Sequence, residues 1–222
     1  MISGDHPFHF LQAVFGRTNA VFEFSRYVYT PDSLLDEREI FEVSGAALSE
    51  EWLESQIGKL RSDQELAIHS RVRIAGRTLH IPMLDFAASE IGPDQLDRIR
   101  VFLPRQVFRT SAFYCSGRSF HAYSTTLLNP KAWSIFLGRS LLINPSDGET
   151  IVDTRWVGHR LIAGYCSLRL SNNSHQYRGM PRRIDLGASR AESPKYVPAS
   201  PDETWEQQRI SILDRPREAE HG

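Results

Sequence analysis

Cysteine is scarce: two residues in a chain of 222, too few for the disulfide framework of a small secreted scaffold. No apolar run approaches the roughly 20 residues that span a bilayer, and the opening Met1-Ile2-Ser3-Gly4-Asp5-His6-Pro7 lacks the basic flank and apolar stretch of a secretory signal. Glycine (14) and proline (12) are at ordinary levels, which excludes collagen-like and low-complexity chains. There is no GxxxxGK[S/T] phosphate loop and no GxGxxG, against a nucleoside-triphosphatase motor and a dinucleotide-dependent dehydrogenase. Nor do cysteines and histidines cluster at the spacing of a structural zinc site, so no zinc is expected, and Cys115 and Cys166 read as core thiols. The expectation is a soluble cytoplasmic protein with no membrane partner.

What is present suits a folded domain: 41% hydrophobic, 10% aromatic and 24% charged residues can build and solvate a core. The net charge of −1 conceals a strong asymmetry. Residues 101–190 carry twelve Lys/Arg against four acids, and the remainder fourteen against twenty-three. A positive middle facing a polyanion or phosphate, with an acidic remainder maintaining solubility, explains that split. All but three of the basic residues are arginine. Guanidinium groups grip phosphate through paired hydrogen bonds, although a codon bias toward arginine explains the same count.

Aromatic and β-branched residues around Val21, Phe22, Phe24, Tyr27, Val28 and Tyr29 predict an early strand, followed by an exposed acidic link around Asp32 to Glu42. Ser49 caps a helix running to about Leu60, with Trp52, Leu53, Ile57 and Leu60 on one side. Leu66–Ile74 and Thr78–Phe86 read as strands joined by an Ala75-Gly76 hairpin turn. Gly92-Pro93-Asp94 starts a helix bearing Leu96, Ile99, Arg100 and Leu103. Val107 to Tyr123 reads as two strands around Ser116-Gly117-Arg118-Ser119. Asn129-Pro130 opens another helix with Trp133, Phe136, Leu137 and Leu141 on a shared face, and Thr150–Asp153 reads as a short strand. The central order of strand, helix, strand, strand, helix, strand is that of a split βαβ or RRM-like layer. The expected class is α/β (α+β): a domain over 1–185, its core at about 78–183, with N-terminal strand and helix elements. A tail over 186–222 is expected to be mobile or appended, with a short helix around Trp205 to Leu213.

Three features recur at strand ends and turns: Asp85, the Ser116-Gly117-Arg118-Ser119-Phe120-His121 turn, and Asp153. Taken singly each has a plain reading. A strand-terminal Asp more often caps a turn than binds metal, a histidine beside aromatics is usually half-buried, and a glycine usually shapes its hairpin. In order, and followed by Arg169, they resemble the catalytic core of the archaeo-eukaryotic primase (primase-polymerase) superfamily over about residues 78–183. That family carries an acidic pair on a strand, a Ser-x-His within sGxGxH, and an hD followed by an Arg-containing strand. Residues 116–121 match the second motif, Ile151-Val152-Asp153 the third, and Arg169 takes the place of its downstream arginine.

The resemblance implies nucleotidyl transfer, which has to neutralise a triphosphate, activate a hydroxyl and align both, work usually done by divalent ions on hard carboxylate oxygens. Asp85 and Asp153 are then the catalytic metal ligands for Mg²⁺ or Mn²⁺. Ser119, His121 and Arg169 contact the phosphates of the incoming nucleotide. Arg118, Arg160, Arg178, Arg182 and Arg183 are candidates for the nucleic-acid backbone, several of them alternatively solvating an exposed face. The first motif departs from the family: Leu84-Asp85-Phe86-Ala87 has alanine where a second acid belongs, so the metal is expected to be weakly held, with one ion at most. The expected function is a primase-polymerase-like nucleotidyltransferase core, weakly active or degenerate, with a nucleoside triphosphate and a single-stranded template as partners and a separate helicase or accessory protein. The alternative is a non-catalytic nucleic-acid-binding or assembly module that kept the fold. A third reading is a generic α/β domain whose motif match is accidental.

Overall fold

A computed structural model describes residues 2–16, 19–30, 37–174 and 176–186. The chain divides into two units, 1–186 and 187–222, and the elements below all belong to the first. The helix anticipated around Trp205 to Leu213, and the tail from residue 187 onward, lie outside the described residues.

Two antiparallel sheets carry the architecture. The first has the order β2-β1-β3-β4, with β8 also paired to β3: β1 (Ala20–Val28), β2 (Arg38–Ser44), β3 (Gln64–Ile74), β4 (Arg77–His80) and β8 (Ser167–Arg169). The second runs β5-β7-β6-β9: β5 (Met83–Asp85), β6 (Ser111–Cys115), β7 (Phe120–Ser124) and β9 (Arg182–Ile184). Among the described residues six α-helices flank them: α1 (Pro7–Phe15), α2 (Glu50–Gly58), α3 (Pro93–Phe102), α4 (Arg105–Arg109), α5 (Pro130–Leu141) and α6 (Thr154–Ala163). The anticipated order of strand, helix, strand, strand, helix is found from β5 to α5, with α4 added after α3. The strand expected next, at Thr150–Asp153, is absent; α6 follows, β8 joins the first sheet, and β9 takes the outer place beside β6.

Local signals explain the elements the sequence predicted. The Ser49 side chain accepts from the Trp52 N–H and starts α2; Asn129 accepts from the Ala132 N–H and starts α5, with Pro130 in the first turn. Ala75 and Gly76, at φ 47° and 76°, form the tight turn between β3 and β4, as a two-residue hairpin requires. Strand β1 alternates: Phe22 and Phe24 are fully buried in the core with Phe8, Leu53, Leu66 and Ile68. The intervening Glu23, Ser25 and Tyr27 belong to the other face of the sheet.

Several expectations are corrected. Thr78–Phe86 is two strands, because Pro82 has no N–H to continue a ladder: β4 stays with β3, while β5 pairs with β7. The acidic link contains β2, whose charges are taken up across the sheet by Arg26–Glu39 and Arg73–Glu42 ion pairs. Val107 lies on α4, which Pro104 introduces. Thr150–Asp153 is not a strand; Val152 makes one isolated bridge to Phe86. Helices α1 and α6 were not anticipated. The first is capped by His6, whose ring accepts from the Phe8 N–H, an uncommon cap residue.

Candidate active site

β5 ends at Asp85, and its register sets Asp85 directly opposite His121 on β7. Paired residues on antiparallel strands project to the same face, and here Nε2 of His121 lies 3.7 Å from Oδ1 of Asp85. Beyond β5 the chain stays in contact with the 151–153 segment: Ala87 N–H donates to the Ile151 carbonyl at 2.9 Å, and Asp153 N–H to the Asp85 carbonyl at 3.1 Å. The second acid therefore arrives beside the first by main-chain pairing. Asn144 fixes that segment. Its Oδ1 accepts from the N–H groups of Ile151 and Val152, both at 2.8 Å, and its Nδ2 donates to the Val152 carbonyl at 3.1 Å.

Asp153 has two roles. It is the N-cap of α6, Oδ1 accepting from the Trp156 N–H at 2.8 Å, so one carboxylate oxygen is committed to the helix. The cap reading of a lone Asp is thus correct locally, and it also aims α6 so that Trp156, His159 and Arg160 line a cavity with Asp85 and Asp153.

The Ser116–Ser119 turn closes another side. Ser116 N–H donates to the Ser119 carbonyl, and the two hydroxyls stand 3.3 Å apart. Gly117 sits at φ +122°, where a Cβ would come within 3.3 Å of the Arg178 main-chain nitrogen. Glycine is required there on both counts. Arg169, buried on β8, braces this corner: its guanidinium donates to the carbonyls of Ser116 (2.7 Å), Gly179 (3.1 Å) and Ser171, and lies 3.9 Å over the Tyr177 ring. Glu65, buried on β3, holds the segment after β8, accepting from the N–H groups of Asn173 and Ser174 and the hydroxyls of Ser171 and Ser174.

Electrostatics separate the two principal groups. Burial, and then the neighbouring Asp153 carboxylate, push Asp85 from 3.8 to about 8, so it holds a proton at neutral pH. Burial, reinforced by the Arg169 charge, pushes His121 down to about 3, leaving a neutral ring whose Nδ1 is buried with no hydrogen-bond partner among the described residues. Among the described residues no group of three or more His, Cys, Asp or Glu is arranged to hold a metal ion. Two hard carboxylates fit a single Mg²⁺-type ion that takes its other ligands from water and phosphate. They do not fit an all-protein cage. Ala87, the departure in the first motif, is exposed.

Of the residues singled out from sequence, Asp85, Arg118, Ser119, His121, Asp153, Arg160, Arg169 and Arg178 all line this one cavity of about 330 Å³. Arg160 is buried, with Nη1 donating to the Ser167 hydroxyl at 2.7 Å, and belongs to the cavity wall rather than to an open surface. Arg182 and Arg183 lie on β9 and do not line this cavity; Arg182 lines a second groove with Asp5, His6 and Glu54, which Arg178 also borders. Sequence reading missed Asn144, Glu65 and the tyrosines Tyr27, Tyr29 and Tyr177 that line the same cavity. An Asn seven residues before Ile151 and a Glu beginning a strand give no local signal; their partners are set by the tertiary fold.

Among the described residues no helix is long and apolar enough to cross a membrane. Residues 44–182 match the family model described as AEP-like, archaeo-eukaryotic primase 1D-like. No curated protein sequence matches the chain. A solved structure titled "Crystal structure of the catalytic domain of primase Repb' in complex with initiator DNA" superposes with a TM-score of 0.51, over 96% of this chain and 100% of that one, at 13% identity. At that identity the likeness is one of fold.

Proposed function

This chain belongs to the archaeo-eukaryotic primase family, and on that premise we propose that it is a nucleotidyltransferase core working on a nucleoside triphosphate and single-stranded nucleic acid with one weakly held Mg²⁺ or Mn²⁺. The observation that carries the reading is the juxtaposition of Asp85 and Asp153, joined through their main chains, with His121 across from Asp85 and the Ser119 turn in the same cavity. An ion held by the two carboxylates would neutralise phosphate charge and polarise the reacting phosphoryl group. The Ser119 O–H and the N–H of the neutral His121 offer hydrogen bonds to phosphate oxygens. Arg118 and Arg178 supply fixed charge at the rim. Arg169 contributes its field, while its N–H donors to Ser116, Ser171 and Gly179 serve the walls. The fold neighbour is bound to initiator DNA, which supports a nucleic-acid partner here, and the basic bias of residues 101–190 supports it independently.

A second reading, a binding module without catalysis, draws on Ala87 and on the proton held by Asp85: fewer carboxylates leave less charge to retain a metal. One experiment separates the two. Thermal stabilisation by a nucleoside triphosphate is measured with and without Mn²⁺, beside template-directed synthesis with Mg²⁺ and with Mn²⁺. Metal-dependent stabilisation with feeble, Mn²⁺-favoured synthesis is expected. Metal-independent stabilisation with no synthesis under either ion makes the protein a binder, and robust Mg²⁺-driven synthesis shows that the metal ligands are misassigned.

A further inference from the structure

One wall of the cavity is used by none of the chemistry above. Tyr27, near the end of β1, and Tyr29, just past it, meet Tyr177 from the segment between β8 and β9. The Tyr27 and Tyr177 hydroxyls are 3.5 Å apart, and the Tyr29 and Tyr177 rings are 5.6 Å apart at 50°. The two inner rings are each covered by a guanidinium: Arg38 lies 4.1 Å over Tyr27, and Arg169 3.9 Å over Tyr177. Tyr29 is the outermost, 38% exposed while Tyr27 is 9% exposed.

Tyrosine rings locked by cation–π contact make a stiff aromatic surface. A purely apolar ligand gains nothing from guanidinium groups beside it. A peptide would find few backbone partners on a wall of rings. A planar base carried on a phosphate chain uses both halves: the ring faces for stacking, and Arg118, Arg178 and Ser119 elsewhere in the cavity for phosphate. We infer that Tyr29 and Tyr177 form a stacking shelf for a nucleobase, with Tyr29 the residue that makes the contact and Tyr27 and Arg169 holding Tyr177 in place. The inference rests on the reading of the cavity as a nucleotide site. The base belongs either to a bound mononucleotide or to a single strand.

The test uses the full chain and ligand pairs that differ only in the base. Fluorescence anisotropy compares a short oligothymidylate with an abasic oligonucleotide of equal length, and thermal shift with Mn²⁺ compares a nucleoside triphosphate with inorganic tripolyphosphate. Y29L keeps apolar bulk and removes the ring; Y29F keeps the ring. Y29L should bind the base-bearing ligand about tenfold more weakly, leave the baseless one unchanged, and Y29F should behave as the unmodified chain. Loss confined to the oligonucleotide arm assigns the shelf to a strand, and loss confined to the nucleotide arm assigns it to the bound nucleotide. If Y29L binds both base-bearing ligands as the unmodified chain does, the shelf is overturned while the nucleotide site stands. Failure of the unmodified chain to bind any of the four ligands overturns both.

Discussion

The main-chain N–H of Asp153 donates to the carbonyl of Asp85, so the two acids are held side by side through the backbone. Their separation is a property of the fold, set by the pairing of Phe86 with Val152 and by Asn144 on the far side of that pair.

Asn144→Ala should therefore act at a distance. It removes three hydrogen bonds to the 151–152 main chain and leaves partly buried N–H groups unpaired, a cost of about 2 kcal/mol. Urea denaturation should report that loss, and Mn²⁺ titration should report weaker binding although Asn144 touches no metal. Unchanged Mn²⁺ affinity would mean that Asp153 keeps its place without the clamp.

Asp153 offers a way to divide structure from chemistry. Asn caps helices about as well as Asp, whereas Ala loses about 1 kcal/mol at such a position. Asp153→Asn should keep the melting temperature and abolish metal-dependent nucleotide binding, while Asp153→Ala should lose both. Retained metal binding in the Asn variant would make Asp153 a helix cap only.

The metal-free protein should be most stable near pH 7. His121 (from 6.5 to about 3) and His6, His69 and His80 (each from 6.5 to about 4) are pushed down by burial. On their account the unfolded chain binds more protons than the folded one from about pH 4 to about 7, and their contribution to stability rises with pH over that range. Asp85, at about 8 instead of 3.8, acts in the opposite sense: the folded state holds a proton that the unfolded state releases, so stability falls between about 4 and 8. Above about pH 7 the fall from Asp85 outweighs what remains of the rise from the four histidines. Asp85→Asn should flatten the decline from about 7 to 8 in a series of urea midpoints. Mn²⁺ affinity should rise over the same interval, because the ion must displace that proton.

Single-stranded nucleic-acid binding should weaken steeply with salt, and the slope should divide the arginines. Removing the cation that neutralises one phosphate lowers the slope by about one. Arg118→Ala and Arg178→Ala, which remove charges lining the cavity, should each do so. Arg182→Ala and Arg183→Ala, on β9, should leave binding at the cavity unaltered. Equal effects from all four would move the binding surface off the cavity. Salt-independent retention would remove the electrostatic argument.

Capped helices were legible because their signals are local: Ser49, Pro93 and Asn129-Pro130 each lie within a turn of the helix they start. The Ser116–His121 turn and Asp153 were legible for a related reason, since spacing along the chain carried them. Sheet membership was not. Pro82 marks a break, but nothing local says that β4 and β5 belong to different sheets, because their partners, β3 and β7, lie elsewhere in the sequence. Arg160 read as a surface cation because α6 was unseen. Once Asp153 caps that helix, Arg160 stands two turns along it and faces inward. The tyrosine wall escaped because Tyr27 and Tyr177 are 150 residues apart.

Glu65 and the residues it holds, Ser171, Asn173 and Ser174, are separated by 106 to 109 positions. Closing so long a loop is a modest entropic cost, but contacts of that span form slowly. During synthesis β1, β2 and β3 can pair while the ribosome is still making α5. The cavity has to wait for Arg169, Tyr177 and Arg178. A nascent or refolding chain should thus show sheet structure well before it retains a nucleotide, and a chain stopped short of Arg178 should carry both acids on a scaffold with one wall missing.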